Sequence, residues 1–333
     1  MLMVYRASEH RYDTMKVRRA GQSGLQLPAL SFGMWHSFGD DANFQDSEKI
    51  ILDAFDRGIF SFDLANNYGP GSGAAERMFG QVYRQDLKPY RDELVITTKA
   101  GFHMWPGVYG NFSSRKTLIA ALDRSLQRMG LEYVDIYYSH RFDPETKLEE
   151  TAEALDSIVR AGKALYIGIS NYDGPQTARM IELFQQLHTP FVVNQSSYNL
   201  LNRQAETDGT LQTLADHDAG FVAYGPLAEG LLTNKYLTSK PSNLHLHWTN
   251  NFLLKNGQER ALQKLKQLND LAQNRNQTLA QMSLAWLLNN PTITSVVTGA
   301  SKTAHLDDNL AALDHLDFTA DELRRIDQIV KEN

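Results

Sequence analysis

Eight short runs rich in β-branched and aromatic residues alternate along this chain with amphipathic stretches of ten or more residues. This alternation is typical of βα units around a parallel sheet, because a crossover helix must separate two parallel neighbouring strands. The predicted strands lie at 29–32, 61–63, 95–99, 134–139, 164–169, 191–195, 221–224 and 293–297. Eight strands with eight crossovers in a chain of 333 residues predict a closed (β/α)8 barrel, the TIM-barrel fold.

The segments outside the eight units are also predictable. Two short runs at 15–18 and 25–27 flank a glycine-containing turn, which indicates a β-hairpin over 15–28 that caps one end of the barrel. The repeat is interrupted at 231–258, which we expect to be a long functional loop before a helix at 259–274. A last helix is predicted at 320–331. No linker composition divides the chain, so we expect one domain over 1–333.

Composition excludes several classes of function. The formal net charge is -6 and the sequence pI is about 5.9, so we expect no nucleic-acid partner. The absence of cysteine excludes disulfides, thiolate nucleophiles and cysteine-bound metals. The ten histidines show no zinc-ligand spacing, and we predict no metal site. No apolar run is long enough for membrane insertion, and 1–16 lacks the apolar core of a signal peptide, so a cytoplasmic location is expected.

Polar residues follow consecutive predicted strands at the end where all strands of a parallel barrel meet. Asp63 ends the second strand and Tyr68 follows it, Lys99 ends the third, and His140 follows the fourth. These four groups suit carbonyl reduction, because a lysine ammonium would lower the pKa of the phenol and make it a better acid. The carboxylate would hold the lysine in place, and the imidazole would orient the carbonyl oxygen.

Each of these residues also has a purely structural interpretation. Asp63 and Lys99 are compatible with a buried structural ion pair, and Tyr68 with a core phenol. Ser170 and Asn171, which follow the fifth strand, are compatible with a helix N-cap. Other candidates also have two interpretations. Tyr224 would pack in the core or stack on a ligand, and Lys302 would be a surface charge or an anion ligand. An apolar cluster of Trp35, Met104 and Trp105 would belong to the core or line a substrate site.

Four short motifs occur in a characteristic order along the chain. The chain carries GMW at 33–35, DLANNYG at 63–69, QSSYNLL at 195–201 and GASK at 299–302. On these motifs it resembles the aldo-keto reductase superfamily along essentially its whole length. Within that superfamily it looks like the glyceraldehyde 3-phosphate (methylglyoxal) reductase branch, which is close to the voltage-gated potassium-channel β subunits.

The resemblance implies NADPH-dependent reduction of a small aldehyde, with Asp63, Tyr68, Lys99 and His140 as the catalytic tetrad. It implies that the loop at 231–258 covers the cofactor. The expected cofactor contacts are Gly33, Met34, Trp35, Ser170, Asn171, Gln195, Tyr224, Pro226, Leu227, Lys235, Gly299, Ser301, Lys302, His305, Asp308 and Asn309. The expected substrate contacts are Trp35, Met104 and Trp105.

Two residues favour NADPH over NADH. We expect a helix to begin at Ser301, where free backbone N–H groups attract an anion, and Lys302 adds a positive charge there. The resemblance also leaves a second class of function open, an NADP(H)-binding sensor subunit like the channel β subunits. Relatives are often multimeric, so a homo-oligomer is open as well.

Overall fold

The computed structural model describes residues 5–237 and 251–331, in which eight parallel strands close into a barrel. An antiparallel pair, β1 (Val17–Arg19) and β2 (Gln26–Pro28), precedes them. The barrel strands are β3 (Leu30–Gly33), β4 (Ser61–Asp63), β5 (Val95–Ala100), β6 (Val134–Ser139), β7 (Ala164–Ser170), β8 (Phe191–Ser197), β9 (Gly220–Tyr224) and β10 (Ile293–Thr298). Each pairs in parallel with the next, and β10 pairs with β3 to close the ring. The predicted (β/α)8 barrel is therefore confirmed.

At least one helix follows every barrel strand. The helices are α1 (Phe44–Asp56), α2 (Ala74–Val82), α3 (Arg115–Met129), α4 (Leu148–Arg160), α5 (Gly174–Leu187), α6 (Gln204–Thr207), α7 (Thr210–Asp216), α8 (Asn251–Asn256), α9 (Gln258–Asn274), α10 (Leu279–Leu288), α11 (Thr303–Leu310) and α12 (Ala320–Lys331). The last one matches the helix predicted at 320–331. None of the helices in the described ranges is both long and apolar enough to cross a membrane.

Local sequence signals explain where these helices begin and end, and α3 is a clear example. The Ser114 side chain accepts a hydrogen bond from the backbone N–H of Thr117, which satisfies a free donor of the first turn. Leu118 and Leu122 are fully buried at a spacing of four residues, so one face of the helix packs on the barrel. Gly130 ends the helix with a φ of 72°, a conformation that costs glycine little.

The hairpin of β1 and β2 closes the end of the barrel at which the strands begin. Leu27 of β2 and Ala20 of the turn are buried in one cluster with Val95 and Val192, which lie at the beginnings of β5 and β8. The backbone N–H of Gln22 also donates to the carbonyl of Asp218, just before β9. A ligand must therefore approach from the other end, where the strands finish.

Several predicted boundaries differ from the structure. The hairpin strands begin at Val17 and Gln26 rather than at 15 and 25, and most barrel strands extend one or two residues further than predicted. Part of the loop predicted at 231–258 is helical, since a short 3-10 turn spans Asn234–Tyr236 and α8 follows later. In α8 the side chain of Phe252 is buried, and this packing stabilises a helix too short to show periodicity. The middle of that loop, 238–250, lies outside the described residues.

The pairing of β3 with β10 brings Leu30 against Val296, so the first and the last strand of the barrel are neighbours in one sheet. On this ground we propose that 1–333 is a single domain.

Candidate active site

The ends of the barrel strands opposite the hairpin bring together the four residues of the proposed tetrad. Asp63 is the last residue of β4, Lys99 is the penultimate residue of β5, and His140 directly follows β6. Tyr68 lies in the loop between β4 and α2, and its ring centroid is 5.8 Å from that of His140. Sequence-distant residues thus meet at one mouth because parallel strands finish there together.

Asp63 and Lys99 form a buried ion pair. The Lys99 Nζ donates to Asp63 Oδ2 at 2.6 Å, and the lysine is fully buried. The other carboxylate oxygen, Oδ1, accepts from Thr97 Oγ1 at 3.0 Å and from Gln195 Nε2 at 2.9 Å. Burial lowers the pKa of Lys99, and the adjacent Asp63 carboxylate opposes that shift. A buried charge is stable only when it is paired and hydrogen-bonded in this way.

The ammonium of Lys99 also reaches the phenol of Tyr68. Its three N–H groups serve Asp63, the carbonyl oxygen of Leu64 at 2.8 Å and the Tyr68 hydroxyl oxygen at 3.3 Å. An ammonium can only donate, so the Tyr68 oxygen accepts this hydrogen bond. The phenol proton is therefore free to point to a different acceptor in the mouth of the barrel.

The net lowering of the Tyr68 pKa that the sequence predicts is not found in this structure. Burial, and secondly the Asp63 carboxylate, raise the pKa of the phenol well above 10. The charge of Lys99 is paired with Asp63 at 2.6 Å, so the phenol lies beside an ion pair rather than beside an isolated cation. Tyr68 is thus fully protonated near neutral pH, and its proton leaves only toward a strongly basic oxygen.

His140 is held as a neutral imidazole. Burial, and then the positive charges of Lys99 and Arg141, lower its pKa well below 6.5. Its backbone N–H donates to the Ala100 carbonyl at 2.9 Å, and its own carbonyl accepts from Asn171 Nδ2 at 3.0 Å. The buried Nδ1 has no hydrogen-bond partner among the described residues. A neutral imidazole carries one N–H donor and one acceptor nitrogen, and with Nδ1 buried it is Nε2 that can contact a bound molecule.

This burial predicts a pH dependence of stability. Unfolding releases the imidazole into water, where it binds a proton below about pH 6.5. The unfolded state then holds more protons, so the free energy of unfolding should fall as pH drops below that value, by up to about 1.4 kcal/mol per pH unit for one group. Urea unfolding of the protein and of His140→Asn, between about pH 7.5 and about pH 5.5, should show a shallower slope for the variant. Equal slopes would contradict a neutral buried His140.

A second group of predicted residues lies beside the tetrad, at the ends of β7, β8 and β9. Asn171 has a φ of 59°, and its Nδ2 also donates to Ser170 Oγ at 3.1 Å. The Tyr224 hydroxyl donates to Asn171 Oδ1 at 2.8 Å, which fixes the half-buried Tyr224 ring. The N-cap of α5 is Asp173, with a capping box, so the helix N-cap alternative for Ser170 and Asn171 is wrong.

A third group lies at α11, next to the end of β10. The helix begins at Thr303 rather than at Ser301, because Lys302 is the extended N-cap residue, and no side chain caps the first turn. Ser301 and Lys302 are exposed in front of that turn, and Ser301 Oγ lies 3.4 Å from His305 Nδ1. Asp308 accepts from Gln281 at 2.8 Å, and Asn309 is buried.

The remaining predicted residues differ in their exposure to solvent. Trp35 and Trp105 are 52% and 39% exposed, so both rings present apolar surface to solvent, and Met104 is half-buried. Met34 is fully buried. The others divide by exposure: Gly33 and Leu227 are half-buried, Pro226 is buried, and Lys235, Gly299 and His305 are exposed. Among the described residues, no His, Asp and Glu side chains cluster as a metal site.

Sequence reasoning missed three partners of the tetrad. Thr97 shares a strand face with Lys99, and the period of two along β5 is the signal that would have found it. The Leu64 carbonyl gives no sequence signal, because any residue supplies that oxygen. Phe102 packs edge-on against His140 with ring centroids 4.6 Å apart, and only the folded loop shows that contact.

Comparisons with known proteins agree with this geometry. The model of the aldo/keto reductase family matches residues 29–331. L-glyceraldehyde 3-phosphate reductases of Escherichia coli O157:H7 and strain K12 are each 50% identical over 330 residues, which cover 98% of this chain and 95% of the relative. A probable voltage-gated potassium channel subunit beta of Arabidopsis thaliana is 32% identical over 322 residues, 95% of this chain and 97% of the relative.

Proposed function

This chain belongs to the aldo/keto reductase family, and we propose that it reduces short aldehydes to alcohols with NADPH and uses Tyr68 as proton donor. The aldehydes include glyceraldehyde 3-phosphate, the compound in the name of the relatives at 50% identity, and methylglyoxal. The observation that carries the proposal is the 3.3 Å contact of Lys99 Nζ with the Tyr68 hydroxyl.

Tyr68 delivers its proton to the carbonyl oxygen as that oxygen becomes an alkoxide. The phenol has a raised pKa, so it keeps its proton until the acceptor is more basic still. The nascent phenolate then gains a full charge 3.3 Å from the Lys99 ammonium, which stabilises it. Asp63 keeps that ammonium in place throughout. The neutral His140 ring donates a hydrogen bond to the same carbonyl oxygen and so orients the aldehyde.

The residues at the mouth fit a dinucleotide. A Cβ on Gly225, which follows Tyr224, would meet nothing nearer than Ser197 Oγ at 3.9 Å, and one on Gly299 nothing nearer than the Gly33 carbonyl at 3.9 Å. There is therefore open space at Gly225, next to Tyr224, and at Gly299, just before the uncapped first turn of α11. When bound, NADPH supplies the hydride.

Each region of the mouth has a proposed task in holding the cofactor. Ser170, Asn171 and Gln195 would hold the carboxamide, with the Tyr224 ring against the nicotinamide. Ser301, Lys302 and the first turn of α11 would hold the 2′-phosphate, because uncapped helix N–H groups and a lysine both favour an anion. The loop at 231–258 would cover the pyrophosphate through Lys235. Trp35, Met104 and Trp105 would surround the carbon atoms of the substrate.

The proposal is tested by turnover of the purified protein with NADPH and a panel of short aldehydes. We expect the absorbance of reduced nicotinamide to fall with glyceraldehyde 3-phosphate or methylglyoxal. Tight NADPH binding without turnover of any aldehyde would instead support the sensor function, which the likeness to potassium channel β subunits keeps as the second candidate. Failure to bind NADPH would contradict both.

Removing the charge of Lys302, at the start of α11, tests the proposed preference for NADPH over NADH. In Lys302→Ala, the affinity for NADPH should fall about 10- to 100-fold, the effect of losing one charged hydrogen bond to a phosphate. The affinity for NADH should change less than about two-fold, because NADH has no 2′-phosphate. Fluorescence titration of both cofactors measures this, with Lys88→Ala as control, an exposed lysine before β5 at the closed end. An equal loss for both cofactors would contradict the assigned role of Lys302.

A further inference from the structure

Arg141 is a cation beside the mouth of the barrel that forms no ion pair with any carboxylate of the described residues. It directly follows His140, and its Nε donates to the Gly101 carbonyl at 2.9 Å while its Nη2 donates to Asn111 Oδ1. Both acceptors are neutral. A guanidinium has five N–H donors, and the other three have no acceptor in the ranges 5–237 and 251–331.

Two other partly buried arginines are paired with carboxylates, whereas the partly buried Arg18 donates to two backbone carbonyls. Arg91 lies 2.9 Å from Asp135, and Arg128 lies 2.6 Å from Glu76. The acidic residue nearest to Arg141 in sequence is Asp143, whose carboxylate accepts from the Glu145 N–H and the Thr146 hydroxyl. Burial lowers the pKa of Arg141, and the charge of Asp143 only partly offsets that shift. Desolvating a charge without a counter-ion is costly, so this arrangement suits a site that an anion completes.

Two aromatic rings hold the guanidinium in a fixed position. Its Cζ lies 4.6 Å from the Phe102 ring centroid and 4.1 Å from that of Phe112. Phe112 has a φ of 63°, a left-handed conformation that is unfavourable for a bulky residue. Such strain is concentrated at functional sites, where the surroundings impose it. The fork of N–H donors is thus rigid before any ligand arrives.

The Phe102 ring connects the Arg141 guanidinium to the tetrad. The other neighbour of the Phe102 ring is His140, with ring centroids 4.6 Å apart. The Gly101 carbonyl that fixes Arg141 Nε follows β5 two residues after Lys99. The Phe102 ring therefore contacts both the guanidinium of Arg141 and the imidazole of His140, at the end of the barrel where the tetrad lies.

We propose that Arg141 is the subsite for the phosphate of a phosphorylated short aldehyde, and that it makes this enzyme select phosphorylated over neutral substrates. This inference rests on the proposed function. A planar guanidinium binds a phosphate through two parallel hydrogen bonds, whereas a neutral aldehyde leaves the same donors without an anion. Arg141 acts on substrate binding and takes no part in proton transfer.

The test compares glyceraldehyde 3-phosphate with glyceraldehyde, which differ only in the phosphate. In Arg141→Met, kcat/KM for the phosphorylated aldehyde should fall about 100-fold more than for glyceraldehyde, mainly through KM, as expected for a lost charged pair. Arg141→Lys keeps the positive charge but loses the planar pair of N–H donors, so its kcat/KM for the phosphorylated aldehyde should lie between those of the wild-type protein and Arg141→Met. The control Arg179→Met removes an exposed surface arginine on α5 and should leave the ratio of the two kcat/KM values unchanged.

A second measurement does not depend on turnover. Inorganic phosphate should raise the Tm of the wild-type protein more than that of Arg141→Met or Arg141→Lys, each compared in excess NADPH. Equal losses of kcat/KM for both aldehydes, or equal phosphate effects on Tm in all three proteins, would overturn the role of Arg141. If the wild-type protein reduces no aldehyde of the panel, the proposed function fails, and the Tm comparison alone decides whether Arg141 binds phosphate.

Discussion

Replacing Lys99 with methionine is expected to abolish aldehyde reduction and to destabilise the fold. The variant loses the ammonium that stabilises the Tyr68 phenolate, so kcat/KM should fall by about 10³-fold or more. It also leaves the Asp63 carboxylate, 3% exposed, buried without a counter-ion, which typically costs about 3–5 kcal/mol. Urea unfolding and steady-state kinetics with methylglyoxal measure the two effects on one preparation.

The double variant Lys99→Met/Asp63→Asn separates these two roles. It removes both charges at once, so most of the lost free energy of unfolding should return, because no unpaired charge remains buried. Turnover should stay as low as in Lys99→Met. A single variant that keeps its rate within about three-fold would contradict the role of the ammonium, and a double variant that regains activity would do the same.

Replacing Tyr68 with phenylalanine is expected to remove turnover without removing the cofactor. The ring stays in place near Trp35 and His140, and only the hydroxyl is lost. We expect kcat to fall about 10²- to 10⁴-fold, the usual contribution of a general acid, and the affinity for NADPH to change less than about two-fold. Rapid-reaction kinetics with NADPH and fluorescence titration give both values.

The matched control for this change is Tyr12→Phe. Tyr12 is 38% exposed, and its hydroxyl donates to Glu93, which lies before β5 at the closed end of the barrel. This variant should reduce aldehydes at the wild-type rate. A Tyr68→Phe protein that works as fast as the control would exclude Tyr68 as proton donor.

The sequence predicts the barrel and the convergence of the tetrad for the same reason. Alternating strands and helices force parallel strands, and parallel strands finish at one end, so Asp63, Lys99 and His140 have to meet there. Boundaries are less predictable, because helix and strand ends depend on individual contacts. The start of α11 at Thr303 and the burial of Phe252 in α8 are two such cases.

The electrostatics of the site could not be predicted from residue types. Proximity of Lys99 predicts a lowered pKa for Tyr68, but burial and the Asp63 carboxylate raise the pKa of the phenol, and Asp63 is also the ion-pair partner of Lys99. That Arg141 forms no ion pair within the described part of the chain is equally unpredictable from the sequence. It depends on where Asp143 directs its carboxylate, and that is fixed by local hydrogen bonds to Glu145 and Thr146.

Transfer of an isotope label shows directly whether this protein moves a hydride from NADPH to the carbonyl carbon of an aldehyde. The wild-type protein would be mixed with methylglyoxal and NADPH deuterated at its transferable hydrogen, and the alcohol product examined by mass spectrometry. We expect one deuterium on the former carbonyl carbon of each product molecule, and no such product with Tyr68→Phe in the same time. An alcohol that carries no deuterium, or no alcohol at all from the wild-type protein, would contradict hydride transfer at this site.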